Sequence, residues 1–145
     1  MNNKTKTIFL IIFIIIYIFA FALPLKAQTK YTESDISLIA KVTMAEAEGE
    51  SILGKRLVID TILNRVDSPY CPNTVSGVIF QPNQFTCVNN GRLNRCYVKN
   101  DIYNLVKQEM NKRTNKNVFF FRTGCYSSYG IPLFKEGYHY FSKYR

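Results

Sequence analysis

Residues 34 to 50 read Ser-Asp-Ile-Ser-Leu-Ile-Ala-Lys-Val-Thr-Met-Ala-Glu-Ala-Glu-Gly-Glu. Ser34 or Asp35 can accept hydrogen bonds from the free amides of a helix start, and Gly49 favours a helix end, so we predict a helix between them. At about 100° per residue, one arc of this helix carries Ile36, Ile39, Ala40, Val42, Thr43 and Ala47. Glu46 falls inside this apolar arc, whereas Glu48 falls on the opposite, polar side.

Glu46 is the residue that this pattern leaves unexplained. Burying an ionised carboxylate without a partner is costly, so Glu46 must be paired, protonated or at the edge of a cleft. One interpretation is an ion pair with Arg65 or Lys55 of the next helix. The other is a general acid, because desolvation raises the pKa of a carboxyl group and keeps a proton available for a leaving glycosidic oxygen. Glu50 points the same way after Gly49, where it would contact substrate or cap the next helix.

The remaining sequence predicts an α+β domain in which helix predominates. A second helix runs from about Leu53 to Val66 and a third from about Asp101 to Lys112, while Val118 to Phe121 is β-like. Residues 67 to 100 are rich in Pro, Asn and Gly and indicate loops, a short helix or a hairpin, with a turn at Asn89-Asn90-Gly91. The aromatic residues between 126 and 145 are expected in the core or in groove walls.

The N-terminus has the order of a secretory signal peptide. Lys4 and Lys6 precede an apolar run from Ile8 to Leu23, which is shorter than a membrane-spanning helix usually requires. We therefore predict a signal peptide over residues 1–27, a short leader over 28–34 and one domain over 35–145. The protein is then expected outside the cytoplasm, and its only membrane contact is this segment if it stays uncleaved.

Charge and cysteines narrow the class of protein further. The chain carries a net charge of +9, which falls to about +6 without Lys4, Lys6 and Lys26. A basic exported domain suits an anionic envelope polymer, and no nucleic-acid-binding signature is present. Four cysteines in such a domain predict two disulfides, with free thiols as the alternative: Cys71, Cys87, Cys96 and Cys125. With no Cys-x-x-Cys pair and one histidine, no metal site is expected.

The segment from Ala45 to Glu50 closely resembles the Ala-Glu-Ala-x-Gly-Glu signature of cell wall hydrolases related to spore cortex-lytic enzymes. The resemblance continues in order through further pieces, which are Leu63-Asn64-Arg65-Val66, Pro72-Asn73-Thr74-Val75, Gly77-Val78-Ile79, Gln81, Gln84-Phe85, Gly91 and Gly137-Tyr138-His139-Tyr140-Phe141. Together these pieces cover nearly all of residues 35 to 142.

This resemblance implies a lysozyme-like fold related to lytic transglycosylases, with residues 35–145 as the catalytic domain. It implies cleavage of the β-1,4 bond between N-acetylmuramic acid and N-acetylglucosamine of peptidoglycan. We expect the protein to act as a monomer and without a cofactor. The family's catalytic glutamate maps onto Glu46, which would act first as acid and then as base to form a 1,6-anhydro sugar. Met44 and Glu48 depart from frequent family residues, and the four cysteines are unusual for the family. The substrate can therefore be spore cortex or vegetative wall, and a phage endolysin fits equally.

Other residues of these motifs have two interpretations each. Gln84 and Phe85 line a sugar groove, or they fix a loop and bury a ring. His139 touches substrate, or it packs among aromatic side chains. Asn64 and Arg65 are expected to be structural, bonding a loop or pairing a carboxylate.

Three competing functions follow from the same residues. A hydrolytic muramidase would use a second carboxylate, such as Asp60 or Asp67, besides Glu46. A Cys/His amidase or peptidase would use a cysteine with His139. A wall-binding module would have the scaffold without activity.

Overall fold

A computed structural model describes residues 2, 5, 8, 11–14 and 30–145. Most of the predicted signal peptide, together with residues 28 and 29 of the predicted leader, therefore lies outside the described residues. The chain divides into two units, residues 1–30 and 31–145, and the second carries all the features below. Within the described residues, no helix combines the length and apolar character needed to cross a membrane.

The predicted first helix is present as α1, Glu33–Ala47. It begins before Ser34, contrary to the prediction, because Thr32 and Asp35 form a capping box. The Thr32 hydroxyl accepts from the Asp35 amide at 3.2 Å, and the Asp35 carboxylate accepts from the Thr32 amide at 2.9 Å. The predicted apolar arc is buried and Glu48 is exposed.

Five further helices surround α1: α2 (Ile52–Val66), α3 (Val75–Ile79), α4 (Thr86–Asn89), α5 (Arg92–Arg95) and α6 (Asn100–Asn111). All five contact α1, so its buried surface extends beyond the predicted arc to Met44 and Ala45. Helices α2 and α6 match the predictions to within one residue. Gly91 has the predicted turn conformation, with φ 71°, but it joins α4 to α5 and no hairpin forms there.

A small antiparallel sheet completes the domain and confirms the α+β prediction. Its strands are β1 (Phe120–Thr123), β2 (Gly130–Glu136) and β3 (His139–Tyr144), in the order β1-β3-β2. Strand β1 lies two residues later than the predicted β segment. The β2–β3 hairpin was not predicted. Phe141 at its centre packs on Leu57 of α2 and on Val118, which attaches the sheet to the helices.

The four cysteines are free in the structure, so the prediction of two disulfides is wrong here. The four side chains lie in different surroundings. Cys87 is buried, Cys71 and Cys96 are half-buried, and Cys125 is exposed in the loop after β1. Cys87 is instead joined to Glu46 by its backbone amide, which donates to Oε1 at 2.9 Å.

Two carboxyl groups, Asp60 of α2 and Glu109 of α6, are fully buried side by side. Burial raises the pKa of Asp60 to about 8, and its hydrogen bond with Glu109 acts in the same direction. Although burial opposes ionisation, hydrogen bonds from Asp60, the Thr114 amide and Arg56 hold the pKa of Glu109 below its usual range. Asp60 therefore carries the shared proton, and its Oδ2 accepts from the Asn115 amide at 2.7 Å.

This pair predicts a loss of stability in mild alkali. The pKa of Asp60 rises from 3.8 to about 8 on folding. Its contribution to the free energy of unfolding is therefore fully present below pH 3.8 and is lost progressively as the pH rises to about 8. Between about pH 7 and pH 8.5, the free energy of unfolding should fall by about 1 kcal/mol from this group. Asp60→Asn, whose amide donates permanently to Glu109, should lack this component. Urea titrations at both pH values measure the difference, and equal losses in the two proteins would contradict the shared proton.

Candidate active site

A groove of about 1220 Å³ opens between the helices and the sheet. Its floor is formed by Glu46 of α1 with Thr61 and Arg65 of α2. One wall is the loop before α4, and the other is β1 with the loop that follows it. Of the predicted site residues, the groove brings together four: Glu46, Gln84, Phe85 and His139.

Glu46 lies in the last turn of α1 and is half-buried. Its Oε1 accepts a hydrogen bond from the Cys87 amide in the first turn of α4 at 2.9 Å. Within residues 30–145 it has no ion pair with Arg65 or Lys55. The interpretation of Glu46 as a structural ion pair is therefore wrong, and one carboxylate oxygen is fixed by a backbone amide.

Arg65 organises the wall that carries Gln84. It donates to Gln81 Oε1 at 3.1 Å and to Gln84 Oε1 at 2.7 Å. Its guanidinium carbon lies 5.9 Å from the centroids of both the Phe85 and Phe119 rings. Arg65 thus has the predicted structural role, because it bonds a loop. Asn64 likewise bonds a loop, by donating to the Asn115 and Val118 carbonyls at 2.9 and 2.8 Å.

Gln84 and Phe85 differ in what they offer to a ligand. Gln84 is exposed, and its Nε2 makes only a long contact of 3.5 Å with the Pro82 carbonyl. Phe85 is 2% exposed and packs against Phe121 at 6.1 Å. Its ring is therefore a buried part of the groove wall. This favours the interpretation of Phe85 as a buried ring over the interpretation of Phe85 as a sugar contact.

His139, at the start of β3, packs edge-on against the Phe121 ring at 4.9 Å and is 4% exposed. Burial lowers the pKa of His139 although Glu50 and Glu46 act in the opposite direction. The ring is therefore neutral at neutral pH. Its Nδ1 is buried without a hydrogen bond, 3.9 Å from Glu50 Oε1.

Glu50 is not among the groove-lining residues that the structure describes. Its side chain, 6% exposed, accepts from the Tyr138 amide at 3.1 Å and so holds the β2–β3 turn. A Cβ on Gly137 would come 1.7 Å from Glu50 Oε2, which explains why glycine occupies that turn position. The structure thus supports neither predicted role of Glu50. It is outside the described groove lining, so a substrate contact is not supported, and Ser51 caps α2 in its place.

Several groove residues were not predicted individually. Tyr70 and Tyr144 stack with ring centroids 4.7 Å apart, and both line the groove near Arg145. Arg122 lines it from β1. The density of aromatic residues near the C-terminus indicated a core or groove wall, but local sequence carries no signal that joins Tyr70 to residues more than seventy positions later.

The family described as Cell Wall Hydrolase matches residues 49–141, which begin just after Glu46. Spore cortex-lytic enzymes of Bacillus cereus and Bacillus subtilis are 49% and 43% identical over 63 residues. That segment is 43% of this chain and 24% or 21% of theirs, so it spans about a quarter of these relatives.

Two solved structures are similar over most of the domain. The catalytic domain of the Bacillus cereus SleB protein matches with a TM-score of 0.70 and 32% identity, over 81% of this chain and 99% of that one. The catalytic domain of the germination-specific lytic transglycosylase SleB from Bacillus anthracis matches with a TM-score of 0.68 and 33% identity, over 78% and 97%. The similarity supports the fold predicted from the sequence.

Proposed function

The chain belongs to the cell wall hydrolase family, and from this premise we propose that it cleaves the glycan strands of peptidoglycan as a lytic transglycosylase, with Glu46 as general acid and base. Similarity to SleB catalytic domains supports this reaction, since the one from Bacillus anthracis is a germination-specific lytic transglycosylase. We further propose that the protein is exported and acts as a monomer in the cell envelope, without a cofactor.

One observation carries the proposal: Glu46 has the only side-chain carboxylate among the described residues that line the groove. A hydrolytic glycosidase generally needs two carboxyl groups about the scissile bond. The two other candidates are occupied elsewhere. Asp60 is buried against Glu109, and Asp67 pairs with Arg113 at 3.1 Å. A reaction that uses one carboxyl group twice therefore fits this groove better than hydrolysis by a carboxylate pair.

In the proposed reaction, protonated Glu46 gives its proton to the oxygen between C1 of N-acetylmuramic acid and C4 of N-acetylglucosamine. The C1–O bond breaks, and the C6 hydroxyl oxygen of the same muramic residue bonds to C1. The Glu46 carboxylate takes the hydroxyl proton and is regenerated as the acid. The Cys87 amide stabilises the intervening carboxylate, because a hydrogen bond from a backbone amide favours the charged form.

The proposed substrate contacts use polar atoms of the groove wall that have no strong hydrogen bond within the described residues. Gln84 Oε1 is held by Arg65, so its amide hydrogens remain available for an N-acetyl carbonyl. Phe85 and His139 act from behind this surface, since both are almost fully buried. Their proposed task is to keep the wall rigid, with His139 presenting a neutral ring edge beside Phe121.

The amidase or peptidase alternative receives less support. No hydrogen bond joins a cysteine to His139 within the described chain, and burial raises the pKa of the Cys87 thiol, with the hydrogen bond to Glu46 adding to this. A protonated thiol is a poor nucleophile. Cys71 lines the groove, so it is the remaining candidate nucleophile.

Incubation of the purified protein with walls and cortex from several bacteria tests the proposed function. We expect soluble disaccharide fragments with their peptide stems intact, identified by mass spectrometry, and the same fragments from Cys71→Ser. Release of free stem peptides that depends on Cys71 would establish the amidase or peptidase instead. Binding without fragments from any wall would favour a wall-binding module.

A further inference from the structure

The groove has an unbalanced charge. The side chains of its described lining include three arginines, Arg65, Arg122 and Arg145, and one carboxylate, Glu46. His139 adds no charge at neutral pH, because burial lowers its pKa. The groove therefore carries more positive than negative charge before any ligand binds.

Three of the four arginines outside the groove have carboxylate partners, and Arg95 is the exception among the described residues. Arg92 pairs with Glu48 at 3.4 Å, Arg113 pairs with Asp67 at 3.1 Å, and Arg56 pairs with Glu109. In contrast, the described structure has no carboxylate within ion-pair distance of any groove arginine. Three of the four described arginines that lack a carboxylate partner therefore lie where the substrate would bind.

The three groove arginines differ in accessibility. Arg65 is 5% exposed, and its Nε is buried with no hydrogen-bond partner within residues 30–145. Arg122 and Arg145 are exposed, and Arg145 is tethered by a hydrogen bond of 3.2 Å to the Ser128 carbonyl. The two exposed guanidinium groups can therefore meet substituents that project from a strand bound over Glu46.

We propose that Arg122 and Arg145 select glycan strands whose muramic residues carry free carboxylates over strands that are neutral. This inference rests on the proposed function. The sugar rings and N-acetyl groups are uncharged, so the carboxylates belong to the peptide stem or, where a muramic residue has no stem, to its lactyl side chain. Guanidinium groups bind carboxylates with two parallel hydrogen bonds, and a groove of one charge sign attracts the opposite sign over a distance.

The test compares native insoluble walls with the same walls after their carboxylates have been converted to amides. Cosedimentation measures binding, and fragment release measures cleavage. The wild type should bind native walls about fivefold more tightly than amidated walls, since exposed ion pairs contribute modestly. The preference should weaken as salt is added. An amidase that removes the stems also frees the lactyl carboxyl group from its amide bond. Preference that persists for the stripped strands over their amidated form would show that the arginines bind the lactyl carboxylate, and loss of preference would locate the bound group on the stem.

The deciding variant is Arg122→Gln/Arg145→Gln, in which the preference should disappear. Its matched control is Lys135→Gln/Lys143→Gln, which removes two exposed charges of the same sheet outside the groove lining and should retain the preference. The proposal is overturned if the wild type binds both walls equally, or if the two double variants lose the preference to the same extent. If wild-type binding shows the preference but no fragments appear, the proposed reaction fails while this inference stands.

Discussion

Glu46→Gln is expected to lower the rate of fragment release from peptidoglycan by about a thousandfold, because it removes the only proton that the proposed reaction uses. Glutamine keeps the side-chain oxygen that accepts from the Cys87 amide at 2.9 Å, so the start of α4 should stay in place. Initial rates of fragment release measure the effect, and urea titration checks that the variant is folded.

Glu48→Gln provides the matched control two residues away. Its carboxylate is half-exposed and pairs on the surface with Arg92 at 3.4 Å and Lys99 at 3.7 Å. Surface pairs contribute little, so this variant should keep its rate to within about twofold. A Glu46→Gln protein that retained a tenth or more of the wild-type rate would remove Glu46 from the chemistry.

Gly137→Ala is expected to lower the free energy of unfolding by about 3 kcal/mol. Gly137 has φ 56°, and its Cβ would overlap the Glu50 carboxylate that accepts from the Tyr138 amide. Because that carboxylate is buried, displacing it leaves a charge without its hydrogen bond. Urea unfolding measures the loss.

Gly124→Ala separates backbone strain from this clash. Gly124 also has positive φ, 84°, but nothing lies within 4 Å of its Cβ position. Strain alone should cost about 1 kcal/mol there. In a Glu50→Ala background, Gly137→Ala should fall to the same cost. Equal losses for the two single alanine variants would contradict the role assigned to Glu50.

The helices were predictable because their signals are local. The 100° periodicity of residues 36 to 47 placed Glu46 against the core, and Gly49 marked the end of α1 to within two residues. The capping box was missed because Thr32 and Asp35 act as a pair, and only the second was considered.

The sheet was harder to predict because tertiary contacts determine it. Strand β2 contains Gly130 and Pro132 and has a bulge between Pro132 and Phe134, so its side chains do not alternate cleanly. It forms because β3 pairs with it and Phe141 packs on Leu57. Local sequence does not encode either partner.

Within the site, the sequence identified several residues that line the groove, but it did not predict most of their contacts. Glu46, Gln84 and His139 line one groove, which is one of the two interpretations left open for Gln84 and His139. Glu50 was expected at substrate or at a helix cap, yet it holds a turn 88 positions further along the chain. The stack of Tyr70 on Tyr144 likewise depends on the fold and leaves no local pattern.

The most direct test of the central claim, that Glu46 acts twice and water is not consumed, is to run the cleavage in heavy-oxygen water. Mass spectrometry of the new fragment ends then distinguishes the two routes. We predict 1,6-anhydromuramic ends that contain no heavy oxygen, because the C6 hydroxyl of the substrate closes the bond. Reducing ends that contain one heavy oxygen would mean that water attacks C1, and the single-carboxylate mechanism would be contradicted.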